Sequence, residues 1–230
     1  MLLPALCLLA ALFFAALGLW QLERRTWKLD LIARVDHRLG APAVALPPAR
    51  QWPAIKGAAT EYLRVRAHGR FRHDAETLVD ALTERGPGYW VVTPLRTGEG
   101  TILINRGFVP PDRASPPTRR AGQPSGEVTV TGLIRLTEPG GRFLRANAPS
   151  QDRWFSRDVE AIARARGLGP VAPFFIDADA TSNPGGLPVG GLTVVRFRNT
   201  HLIYALTWFA LAVLSIAGLV LAGRPVQDRD

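Results

Sequence analysis

Three ring-bearing side chains near the C-terminus have the spacing of a cofactor site. His201, Tyr204 and Trp208 are spaced i, i+3 and i+7, so in a helix the imidazole, the phenol and the indole share one stripe. Neutral imidazole is a common axial ligand of haem iron, and Arg198 just before the stripe could pair with a propionate. The stripe therefore allows a haem site with His201 as the iron ligand. The alternative is that these residues only anchor a helix at a membrane interface, which the same residue types favour.

Further cations lie where they could serve the same ligand. Arg196 precedes the stripe, and Arg24, Arg25 and Lys28 follow an apolar run at the other end of the chain. If both segments reach the same membrane surface, these side chains are also candidates to pair with carboxylates.

The other titratable residues form no recognisable catalytic or metal-binding motif. The sequence lacks a nucleophile elbow, a Walker loop, a dinucleotide-binding glycine motif and a His-Glu-x-x-His pair, which argues against an enzyme. His68 and His73 could share a site, but two surface histidines are the simpler interpretation. Asp177 and Asp179 are interpreted as a solvated strand end before a turn at Asn183.

The charge balance favours acidic partners and membrane lipids over nucleic acid. The chain carries 28 Lys and Arg against 19 Asp and Glu, a net charge of +9, but the basic residues are scattered and no nucleic-acid motif accompanies them. The only cysteine is Cys7, which excludes an intrachain disulfide, a Cys-x-x-Cys site and covalent haem attachment.

Two apolar runs at the ends of the chain predict membrane helices. Residues Leu2 to Trp20 and Leu202 to Ala222 carry no charge, and about 20 apolar residues cross a hydrocarbon core of about 30 Å. We predict transmembrane helices over 1–22 and 202–222, with a tail at 223–230. A cleaved signal peptide is the alternative for the first run, but its basic n-region is missing.

The region between the runs predicts a β-rich domain. Residues Gln21–Leu39 have one apolar helical face that ends at Gly40, and an Ala/Pro-rich connector follows to Trp52. A helix is expected over Arg157–Arg166, with Ser156 as N-cap and Gly167 as stop, and a surface loop over Pro110–Ser125. Predicted strands are Tyr62–Phe71, Tyr89–Leu95, Thr101–Val109, Val128–Leu136, Phe174–Ala178 and Leu192–Phe197. They indicate a mainly antiparallel sandwich or barrel, α+β, within 53–201.

One pair of strands can be predicted in more detail. Gly88–Leu95 and Leu103–Pro110 are expected to be neighbours, joined by a turn around Gly98-Glu-Gly100. Because proline has no N–H to donate, Pro94 should lie at an edge or at a strand end.

Several short sequence blocks occur in a fixed order along almost the full length of the chain. They are Gly18-Leu-Trp-Gln21 with Arg24 and Lys28, Gly88-Tyr-Trp-Val-Val-Thr-Pro-Leu95, Leu103-Ile-Asn-Arg-Gly-Phe-Val-Pro110, Thr137-Glu-Pro-Gly-Gly141 with Asn147, Trp154-Phe-Ser-Arg-Asp158, Pro188-Val-Gly-Gly191 and Arg198-Asn-Thr-His-Leu-Ile-Tyr-Ala-Leu-Thr-Trp208. Together these blocks resemble the surfeit locus protein one family of cytochrome c oxidase assembly factors. Two departures are Thr200, where asparagine is usual, and the missing basic N-terminal segment.

The resemblance implies a function and a place in the cell. It implies a multi-pass protein of the bacterial inner membrane, with the large domain in the periplasm and both termini in the cytoplasm. It also implies help in inserting haem a into oxidase subunit I, with haem a synthase as donor and His201 as haem ligand. The basic residues after the first run oppose this orientation under the positive-inside rule, although long domains are translocated largely regardless of charge.

Three classes of function therefore stay open. The chain could be a haem a chaperone, a scaffold that stabilises an oxidase subunit I intermediate without touching haem, or a membrane-tethered enzyme. The missing catalytic motifs make the enzyme the weakest of the three.

Overall fold

The computed structural model describes residues 2–57, 60–195 and 197–222. Contacts within the chain divide it into two compact units. One unit consists of both terminal segments, 1–36 and 195–230, and the other of residues 37–194. The predicted tail at 223–230 lies outside the described residues.

The terminal unit is a pair of long apolar helices. Helix α1 spans Leu2–Gly40 and helix α3 spans His201–Ala222, with mean hydropathy of 2.5 and 2.3 in their most apolar windows. Only 11% of each window is buried, whereas the core helix of a soluble protein would be mostly buried. Both helices are long and apolar enough to span a membrane, as predicted, and α1 continues beyond the apolar run.

Small residues bring the two helices of this unit together. Gly18 of α1 is buried against the ring of Phe209 in α3, where an added Cβ would lie 2.5 Å from Cε1. Near the opposite end of α1, the sulfur of Cys7 lies 3.5 Å from the Cβ position of Gly218. The earlier residue of α1, Cys7, thus faces the later residue of α3, Gly218, so the two helices pack antiparallel.

The second unit is built on a closed barrel. Its sheet strands are β1 (Val44–Ala45), β2 (Arg64–Phe71), β3 (Thr77–Thr83), β4 (Gly86–Thr97), β5 (Gly100–Val109), β6 (Glu127–Leu136) and β9 (Val171–Ala178). The ring runs β2–β6–β9–β5–β4 and closes because β4 also pairs with β2. Only the β5–β9 pair in this ring is parallel, so the predicted mainly antiparallel barrel is confirmed.

Short elements complete this unit. Strands β7 (Gly141–Arg142) and β8 (Arg145–Ala146) form a separate hairpin, and α2 spans Val159–Ala165. Turns of 3₁₀ helix cover Ala49–Ala54, His73–Ala75, Pro111–Arg113, Pro116–Gly122, Pro149–Gln151 and Pro184–Gly186.

The two faces of the barrel wall bury different clusters. Ile104, Phe174 and Ile176 point inside, together with Trp52 from the connector. Leu103 and Phe175, the alternate residues of the same strands, face outward and pack with residues of α2. Because side chains alternate along β5 and β9, one set of residues fills the barrel interior and the other set packs against α2.

The detailed hairpin prediction is confirmed. Strand β4 pairs antiparallel with β5 from Tyr89–Val109 to Thr97–Gly100, with the turn at Gly98 and Glu99. Pro94 lies in the interior of β4 rather than at its end. It falls between the stretch of β4 that pairs with β3, ending at Val92, and the stretch that pairs with β2, beginning at Leu95. The missing N–H therefore faces a local edge of the sheet, where β2 replaces β3 as the neighbour of β4.

Two strand assignments differ from the prediction. Leu192–Phe197 is not a strand in its described residues, although the hydroxyl of Thr193 still donates to Asp177 of β9. Strand β3 was not predicted. It buries the small or short side chains Thr77, Val79 and Ala81, and Asp80 interrupts its apolar pattern.

Two local predictions also need correction. Helix α2 begins two residues later than expected, and its N-cap is Asp158, whose side chain accepts the N–H of Ala161, rather than Ser156. Gly167 does end the helix, with a φ of +59°. The segment 110–125 is not only a surface loop, because Arg119 is buried there in an ion pair with Glu76.

Replacement of Gly88 by glutamate should destabilise the barrel. A Cβ at this buried position would meet the carbonyl oxygen of Val109 and lie 2.5 Å from the ring of Phe108. We expect Gly88→Glu to lower the free energy of unfolding by about 3 kcal/mol or more, since it adds both a clash and a buried charge.

The measurement is the membrane level and melting temperature of the full chain. Gly126→Glu is the matched control, because nothing lies within 4 Å of a Cβ there. Equal stability of the two variants would contradict the assignment of Gly88 to a crowded strand position.

Candidate functional site

The histidine predicted to bind a cofactor lies at the first residue of α3. Its Nδ1 forms a 2.7 Å hydrogen bond with Oε1 of Gln21 in α1. An amide oxygen can only accept, so this amide orientation assigns the donor role to Nδ1, and a neutral ring with that tautomer has its lone pair on Nε2. Ligand histidines of metals commonly have this arrangement, in which a second group fixes the tautomer and the ring orientation.

The two aromatic residues of the predicted stripe have different surroundings. Trp208 is half-buried and stacks on Phe14 of α1, with ring centroids 5.7 Å apart and planes 18° apart. Tyr204 is 54% exposed, so its ring flanks the helix pair rather than filling it. The stripe thus has one end fixed by packing and one open side.

The predicted cations are distributed unevenly. Arg198 is exposed, three residues before α3. Arg25 and Lys28 follow Gln21 at i+4 and i+7, so they lie on the same face of α1, and Lys28 Nζ is 5.2 Å from the ring of Phe197. Arg24 instead lies over the ring of Trp27, with its guanidinium carbon 4.4 Å from the centroid, and Arg196 is outside the described residues.

The donor set suits a haem better than a free metal ion. Among the described residues, no group of three or more His, Cys, Asp and Glu could hold an ion. A haem brings four nitrogen ligands of its own and needs only an axial ligand from the protein. His201 with a lone pair on Nε2 satisfies that requirement.

Gln21 is the site residue that spacing alone did not identify. It belongs to a block that carries the family resemblance, but glutamine binds no metal and fits no catalytic motif. The sequence signal for Gln21 was its position at the end of the first apolar run. If both runs span a membrane, that position reaches the same membrane surface as the start of the second run.

The comparison with known proteins bears on all of these blocks. The model of the SURF1 family matches residues 8–213. This chain belongs to the SURF1 family. It is 41% identical to Surfeit locus protein 1 of Homo sapiens over 214 residues, which is 85% of this chain and 69% of that protein. The Mus musculus protein is 40% identical over 212 residues, 85% of this chain and 67% of that protein. A SURF1-like protein of Monosiga brevicollis is 39% identical over 229 residues, which is 93% of this chain and 85% of that protein.

Two of the SURF1 blocks, those that contain Asn105 and Arg157, meet at one buried carboxylate. Asp177 is 2% exposed and bonds to the guanidinium groups of Arg135 and Arg157, each at 3.0 Å. The amide of Asn105 donates to it at 2.7 Å, and the hydroxyl of Thr193 at 3.0 Å. The expectation that Asp177 is solvated is therefore wrong, because these donors replace water at the strand end.

Arg157 extends this network to a second carboxylate. It binds Glu138 through two guanidinium nitrogens and its backbone N–H. Burial alone would raise the pKa of Glu138, but the hydrogen bonds and charge of Arg157 outweigh it and hold that pKa below its usual value. Asn147 accepts the N–H groups of Phe155 and Ser156, so a further block is tied to the same region. These blocks hold the fold together.

The remaining candidates are not brought together. His68 bonds to the hydroxyl of Thr129, while Nε2 of His73 lies 3.0 Å from the carbonyl of Pro124. Burial lowers the pKa of this half-buried His73 ring below its usual value, because desolvation disfavours the charged form. Asp179 pairs with Arg64 at 3.3 Å.

Replacing Asp177 by asparagine changes the size of the side chain little, but loss of the charge should lower the free energy of unfolding. Asp177→Asn removes the carboxylate that Arg135 and Arg157 share, although each arginine keeps one other carboxylate partner. Losing charge-assisted hydrogen bonds of this kind costs about 1.5–3 kcal/mol. Asp179→Asn is the control, because its carboxylate is more exposed and pairs only with Arg64 among the basic side chains of the described residues. Melting temperatures of the full-length variants test this, and a smaller loss for Asp177→Asn than for Asp179→Asn would contradict it.

Proposed function

We propose that the chain is an assembly factor for haem-copper cytochrome c oxidase, which binds haem a and aids its insertion into subunit I. Two findings support the proposal. The chain belongs to the SURF1 family, and the hydrogen bond between Gln21 and His201 prepares an imidazole for iron. The hydrogen bond is the observation that carries the haem assignment.

In this proposal haem a is cargo, and each residue has a part in holding it. Nε2 of His201 ligates the iron, and Gln21 keeps the ring in the required tautomer. Tyr204 and Trp208 contact the apolar macrocycle. Arg198 pairs with a propionate through a charge-assisted hydrogen bond, and Lys28, seven residues after Gln21 in α1, is the candidate to pair with the other.

The partners follow from the cargo. Haem a synthase supplies the haem and oxidase subunit I accepts it, while membrane lipids surround both helices. A single protein ligand on an open side of the helix pair lets the haem leave when the acceptor offers stronger ligation. The proposal assigns the chain no catalytic step and no nucleic-acid partner.

The proposed location is the bacterial inner membrane, with the barrel in the periplasm and both termini in the cytoplasm. Alkaline phosphatase inserted after Ser125, at an exposed bend, should be active, and a fluorescent protein fused after Asp230 should fluoresce. Phosphatase needs an oxidising compartment, so the reverse pattern would contradict this orientation.

The haem assignment predicts a graded loss of bound haem. Purified from cells that synthesise haem a, His201→Ala should lose most of the Soret absorbance per protein. Gln21→Leu should keep the ligand but lose its orientation, which lowers haem affinity about tenfold. His37→Ala is the control, because this exposed histidine also lies in α1 but near its C-terminal end.

The same samples separate the proposal from its alternative. Equal haem per protein in His201→Ala and wild type, at equal membrane levels, would overturn the ligand assignment. Colourless wild-type protein that still co-purifies with subunit I would indicate the scaffold function instead.

A further inference from the structure

The hairpin of β7 and β8 exposes two adjacent apolar side chains. Phe143 and Leu144 form its two-residue tip and are 91% and 88% exposed. A single exposed apolar residue is ordinary on a protein surface. Two neighbouring large ones at the end of a projecting hairpin bury nothing in this unit, so folding does not explain them.

The backbone at the tip is also unfavourable for the residues it carries. Leu144 has a φ of +62°, in the left-handed region where turns normally place glycine or asparagine. A branched apolar side chain there costs conformational free energy and gains no burial. Such a residue is expected where its side chain has a use outside the fold.

Basic side chains flank the tip on both strands. Arg142 and Arg145 face each other across the hairpin, and both are exposed. Arg145 forms a 3.5 Å ion pair with Asp80, and its guanidinium carbon lies 5.6 Å from the ring centroid of Phe155. Its side chain is nevertheless 63% exposed, so much of its charge faces solvent. The tip therefore combines an apolar end with a positively charged residue on each strand just behind it.

The base of the hairpin is fixed to the barrel unit. The N–H of Gly140 donates to Asp158 at the start of α2, and the N–H of Asn147 donates to the carbonyl of Gly140. Asn147 is held in turn by Phe155 and Ser156. The tip is thus presented by a supported stem.

We propose that this tip inserts into the interface of an anionic lipid bilayer. Phe143 and Leu144 would enter the boundary between headgroups and acyl chains, and Arg142 and Arg145 would bind lipid phosphates. Charge complementarity selects anionic lipid as the occupant. Two apolar side chains bind a membrane weakly in isolation, but α1 and α3 tether the chain to the bilayer, so its effective concentration is high.

Trypsin accessibility tests the proposal, because Arg142 and Arg145 are themselves cleavage sites. The full chain is placed in nanodiscs of phosphatidylcholine alone or with phosphatidylglycerol. We expect cleavage at these arginines to be about tenfold slower in the anionic discs for the wild type. The variant Phe143→Ser/Leu144→Ser should be cut at nearly the same rate in both. Its two positions are exposed and contribute no buried contacts to the fold, and its melting temperature checks that it is folded.

A depth measurement provides the second readout. In a Cys7→Ser background, a polarity-sensitive fluorophore on Phe143→Cys should shift to the blue and be quenched by spin-labelled lipid in anionic discs. The same fluorophore on Leu82→Cys is the control, because Leu82 is 75% exposed but its sequence neighbours Ala81 and Thr83 carry no charge. Emission at 143 that matches the control in both discs, together with equal cleavage rates, would overturn lipid insertion and leave a protein surface as the partner.

Discussion

The close approach of α1 and α3 is the constraint on which the candidate site depends. Within a bilayer, lipid tails are as apolar as leucine, so helices associate through close packing and hydrogen bonds rather than through the hydrophobic effect. Small residues supply that packing here, since Ala11 and Gly18 of α1 and Ala205 and Ala212 of α3 are all buried. Gly18 sets the register by accepting the ring of Phe209. With that register, Gln21 lies opposite His201 three residues later.

The barrel depends on a different kind of contact. A buried carboxylate such as Asp177 is costly unless donors replace its water, and two arginines, an amide and a hydroxyl do so. The donors come from segments that are far apart in sequence. This network therefore gives the SURF1 blocks that contain Asn105 and Arg157 a structural role in the barrel.

Much of the architecture was predictable from local patterns. The apolar runs at the chain ends, the alternation in β2, the β-branched runs in β5 and β6, and the turn at Gly98 each follow from a short window, and the observed helices and strands agree. Strand β3 was missed because its buried side chains are small, and the strand at Leu192–Phe197 was overpredicted because β-branched residues also suit an extended connection. Closure of the barrel depends on β2 pairing with β4, which no local pattern specifies.

The candidate site was also predictable only in part from local patterns. The stripe of His201, Tyr204 and Trp208 was visible from spacing within one helix, whereas Gln21 is 180 residues away from its partner. Long-range pairs of this kind require the register between the helices. The same limit applies to Asp177, whose sequence neighbours gave no sign that distant arginines would enclose it.

The identity of Gln21 has a consequence for release of the proposed cargo. Enzymes that hold a metal permanently often support the ligand histidine with a carboxylate, which makes the imidazole more basic and strengthens its bond to the metal. A neutral amide oxygen orients the ring without adding that negative charge. An imidazole held in this way ligates iron less strongly, and the open side next to Tyr204 leaves a path away from the helices. Both features suit a protein that passes haem on more than one that uses it.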